Sequence, residues 1–285
     1  MKFYNEFWVN GKLKSEEITP ISPRDRSFSL GDGLFETVKI IGKKALNWDS
    51  HMERLSHGLN FCKFNTEVSS EELLGGIAAL INKTGKSDAV ARIAISRGSE
   101  SIGYIPKPDG VCLKTIYLRP DSGRDFNSIR SSLSSIKIYS KDPLQMIKST
   151  SRLNYVMAAL EAQNQGYDEA LILNESNHIA EWASGNFFGY IEDENTLICP
   201  SADCGALPGT TAPVLIKVAE SLGIKHRQVR IGLSQLPDNT TLLLTNSVKG
   251  VRAISQIDKK FFPVSPMAEL MHSKLWELMK TSSLP

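Results

Sequence analysis

A chain of 285 residues with 33 Lys and Arg against 31 Asp and Glu carries a formal net charge of +2, which argues against bulk electrostatic capture of nucleic acid or an anionic membrane, since either needs a concentrated basic face. With 41% hydrophobic and 22% charged residues the composition is that of a folded globular protein and not of a disordered one. Cys62, Cys112, Cys199 and Cys204 form no Cys-x-x-Cys pair, so neither a disulfide scaffold nor a structural zinc site is expected. Met1-Lys2-Phe3-Tyr4-Asn5-Glu6 places an acid where a signal peptide needs an apolar stretch, and no run of about 18 apolar residues could span a bilayer. A cytoplasmic protein with no membrane partner is the expectation.

In chain order, Phe7-Trp8-Val9-Asn10-Gly11-Lys12-Leu13 reads as a hairpin around an Asn-Gly turn. Gly31-Asp32-Gly33 leads into an alternating strand through Ile41. A helix over 51–59, capped by Asp49 or Ser50, precedes a second one over 70–83 with Glu71 and Glu72 in its first turn. Strands at 89–98 and 111–118 complete a small N-terminal α/β domain, 1–118, and the Pro/Gly/Ser-bearing run 119–125 reads as the interdomain linker. The remainder, 126–285, reads as a larger domain. Ser149-Thr150-Ser151 announces a helix over 152–165 that stops at Gly166. Strands follow at 169–173, 179–182, 187–191 and 197–198, then a helix from Ala212-Pro213 to about 222 and a buried strand over 241–247.

Three features bear on chemistry. Gly209-Thr210-Thr211 opens a helix with Pro213 in its first turn, so free backbone N–H groups, two hydroxyls and the positive helix end form either a phosphate cradle or an ordinary self-capped start. Lys148 follows the extended apolar run 144–147. It is either an exposed element-end lysine or a desolvated amine suited to Schiff-base chemistry. Glu181, in Ile179-Ala180-Glu181-Trp182, is an acid among apolar neighbours and wants a cationic partner. Arg54, beside His51 and Glu53, fits a solvated helix face, and the five histidines show no metal spacing, so no metal is expected.

Taken in order, six blocks resemble the class IV family of pyridoxal-phosphate enzymes, which includes branched-chain and D-amino-acid aminotransferases and aminodeoxychorismate lyases. They are Asp25-Arg26 with 31–37, the block 51–55, Lys148-Ser149 with Leu153-Asn154-Tyr155, the block 168–171, Glu181 with 186–188, and 205–211. The resemblance implies a two-domain α/β (α+β) fold of type IV, whose larger C-terminal domain has a mixed sheet or barrel-like core, with pyridoxal 5'-phosphate in the cleft. It implies that Lys148 carries the cofactor, that Glu181 pairs with its ring nitrogen, and that Arg54, Thr210, Thr211 and Ser247 meet its phosphate. It also implies a homodimer.

The run 92–99 followed by Gly103-Tyr104 looks most like the lyases, which release pyruvate from 4-amino-4-deoxychorismate to give p-aminobenzoate. Ile102 and Tyr104 stand where D-amino-acid aminotransferases carry an Arg-x-His carboxylate trap, so that subtype is disfavoured. Where the family usually has Ile-Thr-Arg this chain has Thr210-Thr211-Ala212, and Arg97 or Arg152 is the expected replacement cation for a substrate carboxylate. Lyase is the leading expectation. A class IV aminotransferase using a branched-chain or similar amino acid with 2-oxoglutarate comes next, and an inactive phosphate-binding relative is the reading from another class.

Overall fold

The computed structural model describes residues 4–15 and 21–281; Met1, Lys2 and Phe3, at the start of the stretch read for a leader, lie outside the described residues. The described residues divide into two compact units: those up to Ser122 with Ile147–Ser151, and Gly123–Met146 with Arg152–Thr281. Although 147–151 lies within the stretch expected as the second domain, it clusters with the first unit.

The first unit is a six-stranded sheet. Its hairpin β1 (Glu6–Val9) and β2 (Lys12–Ser15) turns at Asn10 and Gly11, both in the left-handed region that such a two-residue turn requires. A short helix α1 (Arg26–Leu30) is capped by Asp25, whose carboxylate accepts from the N–H groups of Ser27 and Phe28. Next come β3 (Gly33–Ile41), β4 (Lys44–Ala45), α2 (Trp48–Phe61), α3 (Ser70–Thr84), β5 (Ala89–Ser96) and β6 (Leu113–Pro120). The strand order is β2-β1-β6-β5-β3-β4, antiparallel throughout. Leu34, Val38, Ile40, Ile93 and Ile95 of the sheet bury against Leu55 and Leu59 of α2 and Leu73, Ile77 and Leu80 of α3. α3 starts where expected and runs one residue further, to Thr84, with Ser69 capping its N-terminus and a left-handed Gly85 ending it. α2 begins three residues before the expected start, at a left-handed Asn47 that makes no side-chain cap, because Trp48 is drawn into the core.

The second unit contains β7 (Ser128–Leu133), α4 (Leu153–Asn164), β8 (Glu169–Leu173), β9 (Ile179–Trp182), β10 (Gly185–Ile191), β11 (Thr196–Pro200), α5 (Ala212–Ser221), β12 (Lys225–Val229), β13 (Thr240–Asn246), β14 (Gly250–Ile257), β15 (Lys260–Phe261) and α6 (Pro266–Thr281). Pairing runs β10-β13-β14-β7-β8-β9, and β9 pairs back onto β10, closing a six-stranded mixed barrel with β11 and β12 continuing from β10. Closure leaves the ring without open edges. Trp182, Phe187, Leu171, Leu242, Leu244 and Ile254 belong to its main apolar cluster. α4 packs on β8 through Ala158 and Ala162 against Ala170 and Ile172. The barrel-like core expected from the sequence is thus present. No helix among the described residues is long and apolar enough to cross a membrane.

Candidate active site

In the first unit the site residues hang on β3. Residues 148–150 run antiparallel to its first residues: Leu34 bridges Ser149, Phe35 N–H donates to Lys148 O at 3.0 Å, and Thr150 N–H donates to Gly33 O at 2.8 Å. Lys148 is therefore held by strand pairing, half-buried, with Nζ 4.6 Å from the centroid of the Phe35 ring. The Arg92 guanidinium stacks on the same ring at 3.3 Å and donates to Thr37 Oγ1 at 3.2 Å.

The next residue along β3, Glu36, is 1% exposed. Its carboxylate takes Arg54 through both oxygens, from Nε at 2.8 Å and from Nη2 at 2.7 Å, and lies 2.6 Å from His51 Nδ1. Since His51 and Arg54 are three apart on α2 they share a face, and that face is turned to Glu36. Arg54 is thus an oriented, largely buried cation instead of the solvated one its local sequence suggested. The overlooked signal was Glu36 itself, an acid inside an apolar strand.

Burial alone would push the Glu36 carboxyl up, but the His51 charge and the Arg54 hydrogen bonds outweigh it and hold it down at about 2, against an ordinary 4.5. A carboxyl depressed in the folded state stabilises the fold above its unfolded value and ceases to do so as pH falls through the folded one. The contribution, about 3 kcal/mol, is accordingly complete above pH 4.5 and lost on acidification towards 2. Glu36→Gln is expected to cost about 3–5 kcal/mol at neutral pH, because it strands the largely buried Arg54 guanidinium that Glu36 neutralises. It should also flatten the acid limb of stability between pH 4.5 and 2, both effects being read by denaturant unfolding across pH.

Arg97 has a different placement from a substrate-facing cation. Nε donates to both Asp32 oxygens at 3.0 and 2.9 Å, Nη1 to Lys63 O, Nη2 to Cys62 O, and the guanidinium lies over the Phe64 ring. Asp32 also takes Arg26 Nε at 2.8 Å. Burial works to raise the Asp32 carboxyl, but the two arginines bring it below its ordinary value. Arg97 ties loops of the first unit together.

In the second unit, strand register aligns the remaining candidates. Glu181 of β9 stands opposite Asn186 of β10, which stands opposite Thr245 of β13, and Ser247 sits two residues on, in the turn before β14. That turn is fixed by Asn246, whose Oδ1 accepts from the N–H groups of Val248 and Lys249. Glu181 is 3% exposed, and its Oε1 accepts from Tyr155 Oη at 2.6 Å and from Leu207 N–H at 3.2 Å. Asn186 Nδ2 donates to Leu207 O at 2.8 Å. A Cβ on Gly209 would fall 1.7 Å from Asn186 Oδ1, so only glycine lets the loop approach this closely. These contacts stitch 207–209 to the rung that carries Glu181.

The loop then delivers Thr210 and Thr211 to the start of α5. Thr211 is the N-cap residue, 2% exposed, yet its side chain makes no cap, and its Oγ1 has no hydrogen-bond partner. A buried hydroxyl costs about 1–3 kcal/mol when unsatisfied. At a ten-residue helix whose Pro213 lies in the first turn, the unsatisfied hydroxyl and the first N–H groups together are a donor set for an anion. Leu207, which donates to Glu181, and Thr211 are four positions apart, so the residue that bonds the acid and the N-cap of α5 lie at most about 14 Å apart along the chain. Arg152 precedes α4, with its guanidinium 4.8 Å from the Tyr155 ring. Among the described residues no group of three or more His, Cys, Asp or Glu could hold a metal.

The two units reproduce the architecture of fold type IV. The crystal structure of the Escherichia coli branched-chain amino acid aminotransferase matches with a TM-score of 0.89 at 21% identity, over 98% of this chain and 95% of that one. The family model for class IV amino-transferases matches residues 33–257, and the chain belongs to that pyridoxal-phosphate-dependent enzyme family. It is 26% identical over 280 residues to the putative branched-chain-amino-acid aminotransferase of Methanocaldococcus jannaschii, covering 96% of this chain and 95% of that one. It is also 28% identical over 258 residues to the aminodeoxychorismate lyase of Bacillus subtilis, covering 88% and 86%.

Proposed function

We propose that this pyridoxal 5'-phosphate enzyme is a 4-amino-4-deoxychorismate lyase, converting its substrate to p-aminobenzoate and pyruvate. The observation that carries the cofactor reading is the buried, partnerless Thr211 hydroxyl at the start of α5, joined by a four-residue loop to the buried acid Glu181. An anionic group satisfies the first, and a protonated ring nitrogen the second. When bound, the cofactor supplies an electron sink for charge developing at the substrate carbon that bears the amine. Thr210, Thr211, Ser247 and Arg54 would hold its phosphate, and Glu181 would face its ring nitrogen as the anionic partner. Lys148 would anchor the cofactor through its amine and would take the proton from the amine-bearing carbon of the substrate. Loss of that proton and of the enolpyruvyl C–O bond leaves an aromatic ring, and the departing group takes up a proton to become pyruvate.

The subtype rests on the run 92–99 and on Ile102 and Tyr104, which offer apolar and phenolic side chains where a carboxylate trap would need Arg and His. With Arg97 committed to Asp32 and two carbonyls, Arg152 is the cation for a substrate carboxylate. Arg152→Ala is expected to raise KM about tenfold or more, the value of a charge-assisted hydrogen bond, with smaller change in kcat. An unaltered KM removes Arg152 from the site. The second reading, an aminotransferase of branched-chain or similar amino acids with 2-oxoglutarate, draws support from the near-complete alignment with the M. jannaschii relative.

The deciding assay offers the loaded protein aminodeoxychorismate and, separately, L-leucine. Release of p-aminobenzoate and pyruvate supports the lyase. Conversion of the cofactor to pyridoxamine 5'-phosphate by leucine, without p-aminobenzoate release, overturns it in favour of the transferase, and neither reaction marks an inactive relative. The family likeness also supports a homodimer, which light scattering of the purified protein would test.

A further inference from the structure

The Glu181 carboxylate is not held by the cofactor site alone. Tyr155, in the first turn of α4, places Oη 2.6 Å from Glu181 Oε1 and 3.0 Å from Gln145 Oε1. A phenol has one proton to give, and 2.6 Å is the length of a charge-assisted O–H···O bond to a carboxylate, so the proton goes to Glu181. Gln145 is 7% exposed. With its side-chain amide turned, it donates N–H to the phenolic oxygen, a choice the hydrogen-bond network dictates. The result is a directed chain in which Gln145 donates to Tyr155 and Tyr155 donates to Glu181, while Leu207 N–H reaches the same Oε1 from the loop that leads to Thr211.

Tyr155 stays a donor at any working pH. Burial first, and then the charge of Glu181, push its phenol well above the usual tyrosine value, and the charge of Arg152 with its side-chain hydrogen bond to the phenol only partly offsets them. Its backbone position is secure too, since α4 is anchored through the fully buried Ala158 and Ala162.

We propose that Tyr155 is a positioning residue which, as a fixed O–H donor seconded by Gln145, sets both the orientation of Glu181 and the share of its negative charge offered to the cofactor ring. This rests on the assignment of Glu181 to the ring nitrogen of pyridoxal 5'-phosphate. A hydrogen bond to a carboxylate withdraws charge from it, so removing the phenol concentrates that charge on the ring and loosens the side chain at once.

The test uses the full chain loaded with pyridoxal 5'-phosphate. In Tyr155→Phe the pH midpoint of the bound cofactor's visible absorbance is expected to rise by about one unit. Cofactor affinity should stay within about twofold, and kcat should fall about tenfold at unchanged KM, the cost of roughly one lost hydrogen bond. Gln145→Leu should move the midpoint the same way by a smaller amount, because it weakens the Tyr155 donor without deleting it. A purely structural role would instead lower thermal stability and cofactor affinity with the midpoint unmoved, and that outcome overturns the proposal. A wild-type protein that shows no visible band with pyridoxal 5'-phosphate defeats the cofactor reading itself, and this inference with it. A wild-type band with an unmoved Tyr155→Phe midpoint defeats the inference alone.

Discussion

Lys148→Ala is expected to leave a folded protein that no longer becomes covalently labelled when pyridoxal 5'-phosphate is added and the sample is reduced with borohydride. In the wild type the label should map to Lys148 by peptide mass. Turnover should fall at least about 10³-fold, because the substitution removes the proposed covalent anchor and base together, and a positioned base alone is worth about 10²–10⁴. The fold should survive, since the segment is held through its backbone. Phe35 N–H bonds Lys148 O and Thr150 N–H bonds Gly33 O whatever side chain residue 148 carries. If the label appears on another lysine, or the alanine variant keeps near-wild-type turnover, the assignment of Lys148 fails.

Glu181→Gln is the second large effect. The amide is nearly isosteric, and its oxygen can still accept from Tyr155 and Leu207, which reach Oε1 in the wild type, so packing and cofactor uptake should be little changed. What disappears is the fixed negative charge that, in the proposed role, keeps the ring nitrogen protonated. Losing one preorganised electrostatic partner of the reacting system costs about 10²–10³ in kcat, and the loss should appear in kcat far more than in KM. Equal losses in cofactor affinity and stability, with kcat spared, would falsify the assigned role.

The pieces legible in the sequence were those governed by local chemistry. The Asn10-Gly11 hairpin, α3 with its acidic first turn and apolar spacing, and the strands around Glu181 follow from turn residues and periodicity over windows shorter than about 20 residues. The same reasoning failed at Ser149-Thr150-Ser151, read as a cap for the helix at 152. The Thr150 hydroxyl bonds instead to Gly31 O at 2.9 Å and takes a hydrogen bond from Ser27, and α4 starts at Leu153, after an Arg152 N-cap that makes no side-chain cap. Partners more than a hundred positions away outcompeted the local one. α1, β7 and α6 were not anticipated, since α1 is only five residues long and β7 mixes exposed with buried positions.

The site divides along the same line. Lys148, Glu181 and the Gly209-Thr210-Thr211 helix start were visible by residue type and order, and the family likeness joined them. Arg54 was visible only as a motif member. That it is aimed by Glu36 and His51 depends on a strand and a helix meeting across the first unit's core.

By itself, then, the sequence determined the family, many of the elements in each unit and the identity of the lysine, the acid and the anion cradle as candidates, because those properties reside in residue type, spacing and short-range propensity. The tertiary structure decided which cations are spent and which acids are held. Arg97 is consumed by Asp32, Arg54 is fixed by Glu36, and Glu181 is gripped by Tyr155. Each outcome depends on hydrogen-bond distances between residues 18 to 65 positions apart, set by strand register and helix packing, which no local pattern encodes.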